Sequence, residues 1–249
     1  MLWLLALFLA QSPAAGDYQK ASEFFARRDL RRAEAAVEES LRADPHYIPA
    51  LTLKARLAMI SGRMDVARDT LEAAVAADPK SAAVRFLLGF CLYLENDFQG
   101  ALAALARADP NDARVVLYQA LSEEALNHTD SAMALYEHSL HLDAVNADAR
   151  VAYSRLLRKE GKLDRAQALI AAAPDSRSVF YEKGQCSFER GQYKQAAEFG
   201  ERALAAAGPA PSDREIRFLL TRAYLKAGNP DLAAKHRAIF ESLPIPLVR

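Results

Sequence analysis

Two histidines, His138 and His141, stand three residues apart and are followed by Asp143. This is the arrangement in the chain that most resembles a metal or acid–base site, because helical residues three apart share one face. No third histidine or cysteine follows at ligand spacing, and a basic residue near a helix end also interacts favourably with the helix dipole. The sequence favours a structural or solvent-exposed role for both histidines, and we expect no bound metal.

Patterns of nucleotide binding and nucleophilic catalysis are also missing. Gly161-Lys162 lacks the upstream glycine of a phosphate-binding loop, and there is no Gly-x-Ser-x-Gly turn. Carboxylates are abundant, but no pair is distinguished from a solvated helix surface. We therefore predict a chain that is not an enzyme and needs no cofactor.

The sequence contains an internal repeat, which sets the secondary structure that carries the candidate residues. Small residues are each followed twelve positions later by an alanine, and these alanines lie 34, 34, 31, 34, 30 and 37 residues apart. The small residues are Ala21, Ala55, Gly89, Ala120, Ser154, Gly184 and Thr221, and the alanines are Ala33, Ala67, Ala101, Ala132, Ala166, Ala196 and Ala233. A period near 34 with helical spacing of apolar residues predicts pairs of short helices that must stack to share a core.

Residues suited to ending a helix mark the breaks between these helices. Five positions before each alanine comes Arg28, Gly62, Asn96, Asn127, Gly161, Gly191 or Gly228. Glycine and asparagine accept the left-handed conformation, so we predict the turn inside each helix pair here. Asp44-Pro45, Asp78-Pro79 and Asp109-Pro110 predict the end of the second helix, because proline cannot continue it.

This pattern resembles the tetratricopeptide repeat (TPR) family. The second repeat carries it best, with Leu51, Ala55, Ala58, Gly62, Met64, Ala67, Leu71, Ala74 and Pro79. The resemblance implies an all-α fold, an α-solenoid wound as a right-handed superhelix of about seven repeats. We place the repeats near 14–47, 48–81, 82–112, 113–146, 147–176, 177–213 and 214–249. Arg85, Arg150 and Arg217 depart from the pattern at a large apolar position, and we expect their guanidinium groups to reach water.

The first sixteen residues contain no charged side chain, and Leu2 to Ala10 form an unbroken apolar run. Nine residues are too few to span a bilayer, which needs about 20. We predict a signal peptide over 1–16, a TPR-like domain over 17–249, and an exported protein, periplasmic or secreted, with no membrane span after signal removal. The alternative is a buried N-terminal helix.

The two cysteines occupy equivalent positions three repeats apart, Cys91 after Gly89 and Cys186 after Gly184. Stacked helices about 8–10 Å apart place them too far apart for a disulfide, which needs Cα atoms within about 7 Å. We expect both to be small buried residues, with an intermolecular bridge as the alternative.

In this family the first helix of each repeat lines a concave groove, and the resemblance therefore points to a stripe of groove residues. Repeats two to four contribute mainly apolar side chains and repeat five basic ones. The predicted peptide-binding residues are Arg56, Met59, Phe86, Phe90, Tyr93, Leu117, Tyr118, Leu121, Arg155, Arg158 and Lys159. The alternative is that these side chains are buried by the curvature of the superhelix or by a neighbouring chain. An apolar groove with a basic end suits a partner with an acidic portion.

Charge argues against a nucleic-acid partner, because 32 basic and 32 acidic residues leave no net charge. We therefore predict a non-catalytic, exported TPR scaffold or adaptor that binds a protein or peptide segment in its groove. The alternative is a structural component that self-associates through its solenoid ends, near Phe240 and Leu243, as a homo-oligomer.

Overall fold

The computed structural model describes residues 12–244, which form fourteen α-helices and no strand. The first seven are α1 (Pro13–Ala26), α2 (Leu30–Ala43), α3 (Ile48–Ile60), α4 (Met64–Ala77), α5 (Ala82–Leu94), α6 (Phe98–Leu105) and α7 (Ala113–Ala125). The others are α8 (Thr129–Leu142), α9 (Ala147–Lys159), α10 (Leu163–Ala171), α11 (Arg177–Glu189), α12 (Tyr193–Ala205), α13 (Asp213–Lys226) and α14 (Pro230–Ser242).

The helices form two compact bodies, an N-terminal body up to His128 and a C-terminal body from Thr129. Their boundary falls between α7 and α8, inside the predicted repeat four. Within each body every helix packs against its sequence neighbour, and each odd-numbered helix also packs against the next odd-numbered one. The stacked pairs confirm the predicted α-solenoid architecture within each body. We call the surface of the odd-numbered helices the first-helix face of its body.

The turn inside each helix pair follows the sequence prediction at every position. All seven predicted residues have a positive φ, from 60° at Arg28 to 80° at Gly228. Arginine rarely adopts this conformation, and its neighbours Arg27 and Asp29 complete the turn through backbone hydrogen bonds to α1. The helix-ending conformation therefore depends on the repeat geometry as well as on the residue type.

The repeated small residues lie where two helices of a pair approach most closely. Ala67, Ala101 and Ala132 are fully buried. A Cβ atom added to Gly89 of α5 would lie 2.5 Å from Cγ of Leu105 on α6. This distance is far shorter than van der Waals contact, so only a residue without a side chain fits here.

Arginines stabilise the ends of several second helices. The guanidinium of Arg150 donates to the carbonyl oxygen of Ala144 and, at 2.9 Å, to that of Leu169. Arg85 donates to the carbonyl of Pro79, and Arg217 contacts Nδ1 of the buried His236 at 3.3 Å. All three arginines are half-buried. Carbonyl oxygens near helix ends accept hydrogen bonds from Arg85 and Arg150, whereas Arg217 contacts a histidine. That these guanidinium groups also reach water stays a prediction.

The predicted signal peptide, 1–16, lies outside the described residues as far as residue 11. Its last part belongs to the fold: the Ser12 hydroxyl accepts a hydrogen bond from the amide of Ala15, and α1 begins at Pro13. Ala14 is 2% exposed, and the buried Ser40 hydroxyl donates to its carbonyl oxygen at 2.7 Å. The first turn of α1 is therefore packed against α2.

Candidate functional site

Four predicted groove residues come together on the first-helix face of the N-terminal body. Phe86, Phe90 and Tyr93 are on α5, and Tyr118 is on α7. The Tyr118 ring lies 4.8 Å from Phe90, 5.3 Å from Tyr93 and 6.1 Å from Phe86, measured between ring centroids. These are normal distances for attractive ring contacts. We call these four residues the aromatic cluster; each is half-buried, so each keeps part of its ring at the surface.

The cluster forms because α5 presents one side chain per turn toward α7. Residues 86, 90 and 93 are four and three positions apart, which aligns them on one helix face. Val84, Leu88 and Cys91 face the other way and are buried in the core. On the cluster side, Phe86 and Tyr118 also pack against buried Leu105 and Val115, so the aromatic cluster lies at the edge of the core with part of its surface accessible.

A cleft of about 550 Å³ adjoins the cluster and is lined by α3, α5, α7 and the loop before α7. Phe86 contributes to one wall and Arg56 to another. Arg114 lies 4.9 Å above the Phe86 ring and is held by two hydrogen bonds to Asp112. The Arg114 guanidinium lowers the pKa of the Asp112 carboxyl, so this pair stays ionised at the rim. The cleft combines an aromatic wall with fixed charges.

The other predicted groove residues of this body differ in the solvent exposure of their side chains. Arg56 is exposed and lies 4.8 Å from the Phe25 ring, whereas Met59 packs against the core. Leu121 is half-buried. Leu117 is only 6% exposed, so its selection as a surface contact was wrong. Its helix, α7, packs against both α5 and α6.

The predicted basic residues lie on α9, in the C-terminal body. Arg158 is 16% exposed and bonds to Glu182 through Nε at 3.1 Å and to Glu189 through a terminal nitrogen. Glu182 is 3% exposed, and burial raises the pKa of its carboxyl despite the neighbouring guanidinium. Arg155 is half-buried and Lys159 exposed. The charge of Arg158 is thus compensated inside the body.

The C-terminal body also has a set of first-helix residues that the sequence prediction omitted. Tyr181 and Phe188 on α11 are half-buried, whereas Phe218, Arg222 and Leu225 on α13 are exposed. They occupy the same places, relative to the repeated small residue, as the predicted residues of repeats two to five. Extending that spacing to repeats six and seven would have identified them.

The structure also describes the predicted histidines, the cysteines and the C-terminal end of the fold. His138 and His141 are exposed, and residues 12–244 include no group of three or more metal-binding side chains arranged around one point. Cys91 and Cys186 are free and buried, as expected, and burial raises the pKa of each thiol to about 11.

Phe240 packs against Phe218 and Arg214 at the end of the C-terminal body. Self-association through this end stays a prediction. No helix in the described part of the chain is long and apolar enough to cross a membrane.

Comparison with known proteins identifies the repeat. A tetratricopeptide repeat protein from Parabacteroides merdae is similar in structure, with a TM-score of 0.68, 15% identity and coverage of 84% of each chain. PilF of Pseudomonas aeruginosa has a TM-score of 0.56, 17% identity and coverage of 92% of this chain and 91% of its own. PilW, described as a type IV pilus biogenesis factor, has a TM-score of 0.55, 18% identity and coverage of 92% of each chain.

At 15–18% sequence identity, the structural likeness shows a shared fold only. No curated protein matches the sequence. Two family models, both described as tetratricopeptide repeat, match residues 58–125 and 155–211, together half of the chain. The chain belongs to the tetratricopeptide repeat family.

Proposed function

We propose that this chain is a non-catalytic scaffold that binds a segment of a partner protein on the first-helix face of its N-terminal body. TPR folds are in general protein-interaction scaffolds. The observation that carries the proposal is the aromatic cluster, four half-buried rings beside an open cleft of about 550 Å³. Rings fixed by one another offer large contact area at little cost in conformational entropy.

The rings provide apolar anchoring, and the charges around the cleft provide orientation. Phe86 and Phe90 have nearly parallel ring planes, with an interplanar angle of 9° and centroids 6.4 Å apart. An apolar side chain of the partner packs against these rings, while Arg56 and Arg114 meet polar groups of its backbone or side chains. Anchors in the centre of an interface contribute most of the affinity, whereas rim charges mainly set association rate.

An acidic portion of the partner belongs to the same proposal, with Arg155, Arg158 and Lys159 as its contacts. The structure weakens the case for Arg158, because Glu182 and Glu189 already offset its charge. Lys159 is exposed and Arg155 half-buried, and these two residues are used to test the acidic contact. Exposed charges are screened over about 8 Å at physiological ionic strength, so their contribution depends on salt.

Export is the further part of the proposal. Its support is the uncharged sixteen-residue beginning of the sequence with an apolar core too short to remain as a membrane anchor. An exported scaffold meets partners in the periplasm or outside the cell.

The test compares two double variants for binding a partner captured with the wild-type chain. Phe90→Ala with Tyr93→Ala removes two anchors and should weaken binding about tenfold or more at every salt concentration, because about 1.4 kcal/mol corresponds to tenfold. Arg155→Glu with Lys159→Glu should weaken binding mainly at low salt. Fluorescence anisotropy measures both, and circular dichroism confirms that each variant is folded.

Val145→Ala is the control, since this apolar side chain is 74% exposed in the turn before α9 and lies outside both sites. It should bind the partner as the wild type does. If the aromatic double variant is folded and also binds like the wild type, the aromatic cluster is not the site. The surface of the second helices should then be searched.

A further inference from the structure

Arg222 contacts two aromatic rings on the first-helix face of the C-terminal body. Its guanidinium carbon lies 4.3 Å from the centroid of Phe188 on α11 and 5.4 Å from that of Phe218 on α13. Phe218 precedes Arg222 by four residues, so one helix places both on the same side. Contact with two rings restricts the orientation of a side chain that is otherwise flexible.

The N–H groups of this guanidinium are available to a ligand. Arg222 makes no hydrogen bond and no ion pair with any residue in the described range, 12–244. Other arginines of the body have partners: Arg158 bonds to Glu182 and Glu189, and Arg202 pairs with Asp175. Glu189, next to Phe188 in sequence, is thus already neutralised. Arg222 is an oriented positive charge without a counter-charge.

Apolar surface lies beside this charge. Leu225, one turn further along α13, is 62% exposed, and Phe218 is 47% exposed. Most large apolar side chains of the body are covered, and exposed apolar surface around one polar group is characteristic of a binding site. The planar fork of a guanidinium matches a carboxylate, which it can bind through two parallel hydrogen bonds.

We infer that Phe188, Phe218, Arg222 and Leu225 form a second peptide-binding site, specific for a side-chain carboxylate next to an apolar residue. The carboxylate binds the guanidinium of Arg222, and the apolar side chain packs on Phe218 and Leu225. The inference rests on the proposed scaffold function and names the chemistry that the C-terminal body recognises. A single guanidinium matches the single charge of a carboxylate.

An immobilised array of synthetic dodecapeptides tests this site. Each peptide carries a central glutamate, glutamine or phosphoserine followed by leucine and phenylalanine in a glycine–serine background. The full chain should bind the glutamate peptides about tenfold better than the glutamine peptides, since a charge-assisted bidentate contact is lost. Arg222→Gln should abolish this preference. Arg237→Gln, which changes an exposed arginine of α14 paired with Glu241, should retain it.

A preference that survives in folded Arg222→Gln, or no preference in the wild type, would overturn the inference. Stronger binding of the phosphoserine peptides would also overturn it, because the site would then select a phosphate. A second measurement uses the wild type alone: a photoreactive glutamate peptide should crosslink to residues of α11 and α13, and crosslinks elsewhere would contradict the site. Phe90→Ala with Tyr93→Ala separates the two proposals, because it should weaken the partner of the N-terminal body without changing the glutamate preference.

Discussion

Replacing Ala101 by leucine tests the repeat register, on which every assignment of a groove residue depends. Ala101 lies on α6 and is fully buried. Its carbonyl oxygen would be 3.2 Å from a Cβ on Gly89, so α5 passes directly over this part of α6. Ala103, two residues further on the same helix, is exposed. The same substitution at the two positions changes helix propensity equally and differs only in packing.

The expected cost follows from the absence of free space around Ala101. Leucine adds three carbon atoms, and overpacking of a close-packed site costs about 1–3 kcal/mol. The neighbouring Leu105 is 1% exposed and cannot move aside without disturbing α5. We therefore expect Ala101→Leu to cost about 2–3 kcal/mol. Ala103→Leu should stay within about 0.5 kcal/mol of the wild type, as surface substitutions do.

Urea unfolding followed by circular dichroism measures the difference. With a slope of about 2 kcal/mol per molar urea, the midpoint for Ala101→Leu should fall by about 1–1.5 M. Because stacked repeats can unfold in steps, hydrogen exchange of the α5 and α6 amides should accompany the measurement and show the loss locally. Equal midpoints for the two variants would show that the register is wrong, and with it the choice of the aromatic cluster.

Two further predictions concern the start of the chain and a buried thiol. If the signal is cleaved, mass spectrometry of the native protein should find a new N-terminus between Ala15 and Asp17; intact Met1 in a soluble cytoplasmic pool would contradict export. Cleavage there also removes the carbonyl of Ala14, so Ser40→Ala should be neutral in the processed protein but cost about 1 kcal/mol in a chain that begins at residue 12. For Cys91, burial raises the thiol pKa to about 11 from an ordinary value near 9, so the folded state keeps a proton that the unfolded state releases. The stability due to this group is complete below pH 9 and is lost as the pH rises through 11. Unfolding measured from pH 8 to 11 should therefore show a smaller decline in Cys91→Ala than in the wild type, and equal declines would contradict the burial argument.

Sequence spacing was sufficient to identify the aromatic cluster but not the state of the basic residues. Phe86, Phe90 and Tyr93 follow helical spacing, and the period of the repeat places Tyr118 on the neighbouring first helix. Arg158 follows the same rule, but its charge is neutralised by carboxylates from α11, two helices further along the chain. Ion pairing depends on which side chains converge between helices, and the spacing within one helix does not contain that information.

The all-helical repeat, its period and the seven turns follow from local properties of the chain: the helical spacing of apolar residues, small residues at close approaches, and residues that accept the left-handed conformation. Which first-helix side chains remain accessible depends on how the helices pack. Leu117 and Arg222 occupy comparable stripes, yet Leu117 is 6% exposed, while Arg222 is exposed and contacts two rings. Accessibility and charge compensation depend on contacts between residues far apart in the chain, so they become defined only when the helices pack.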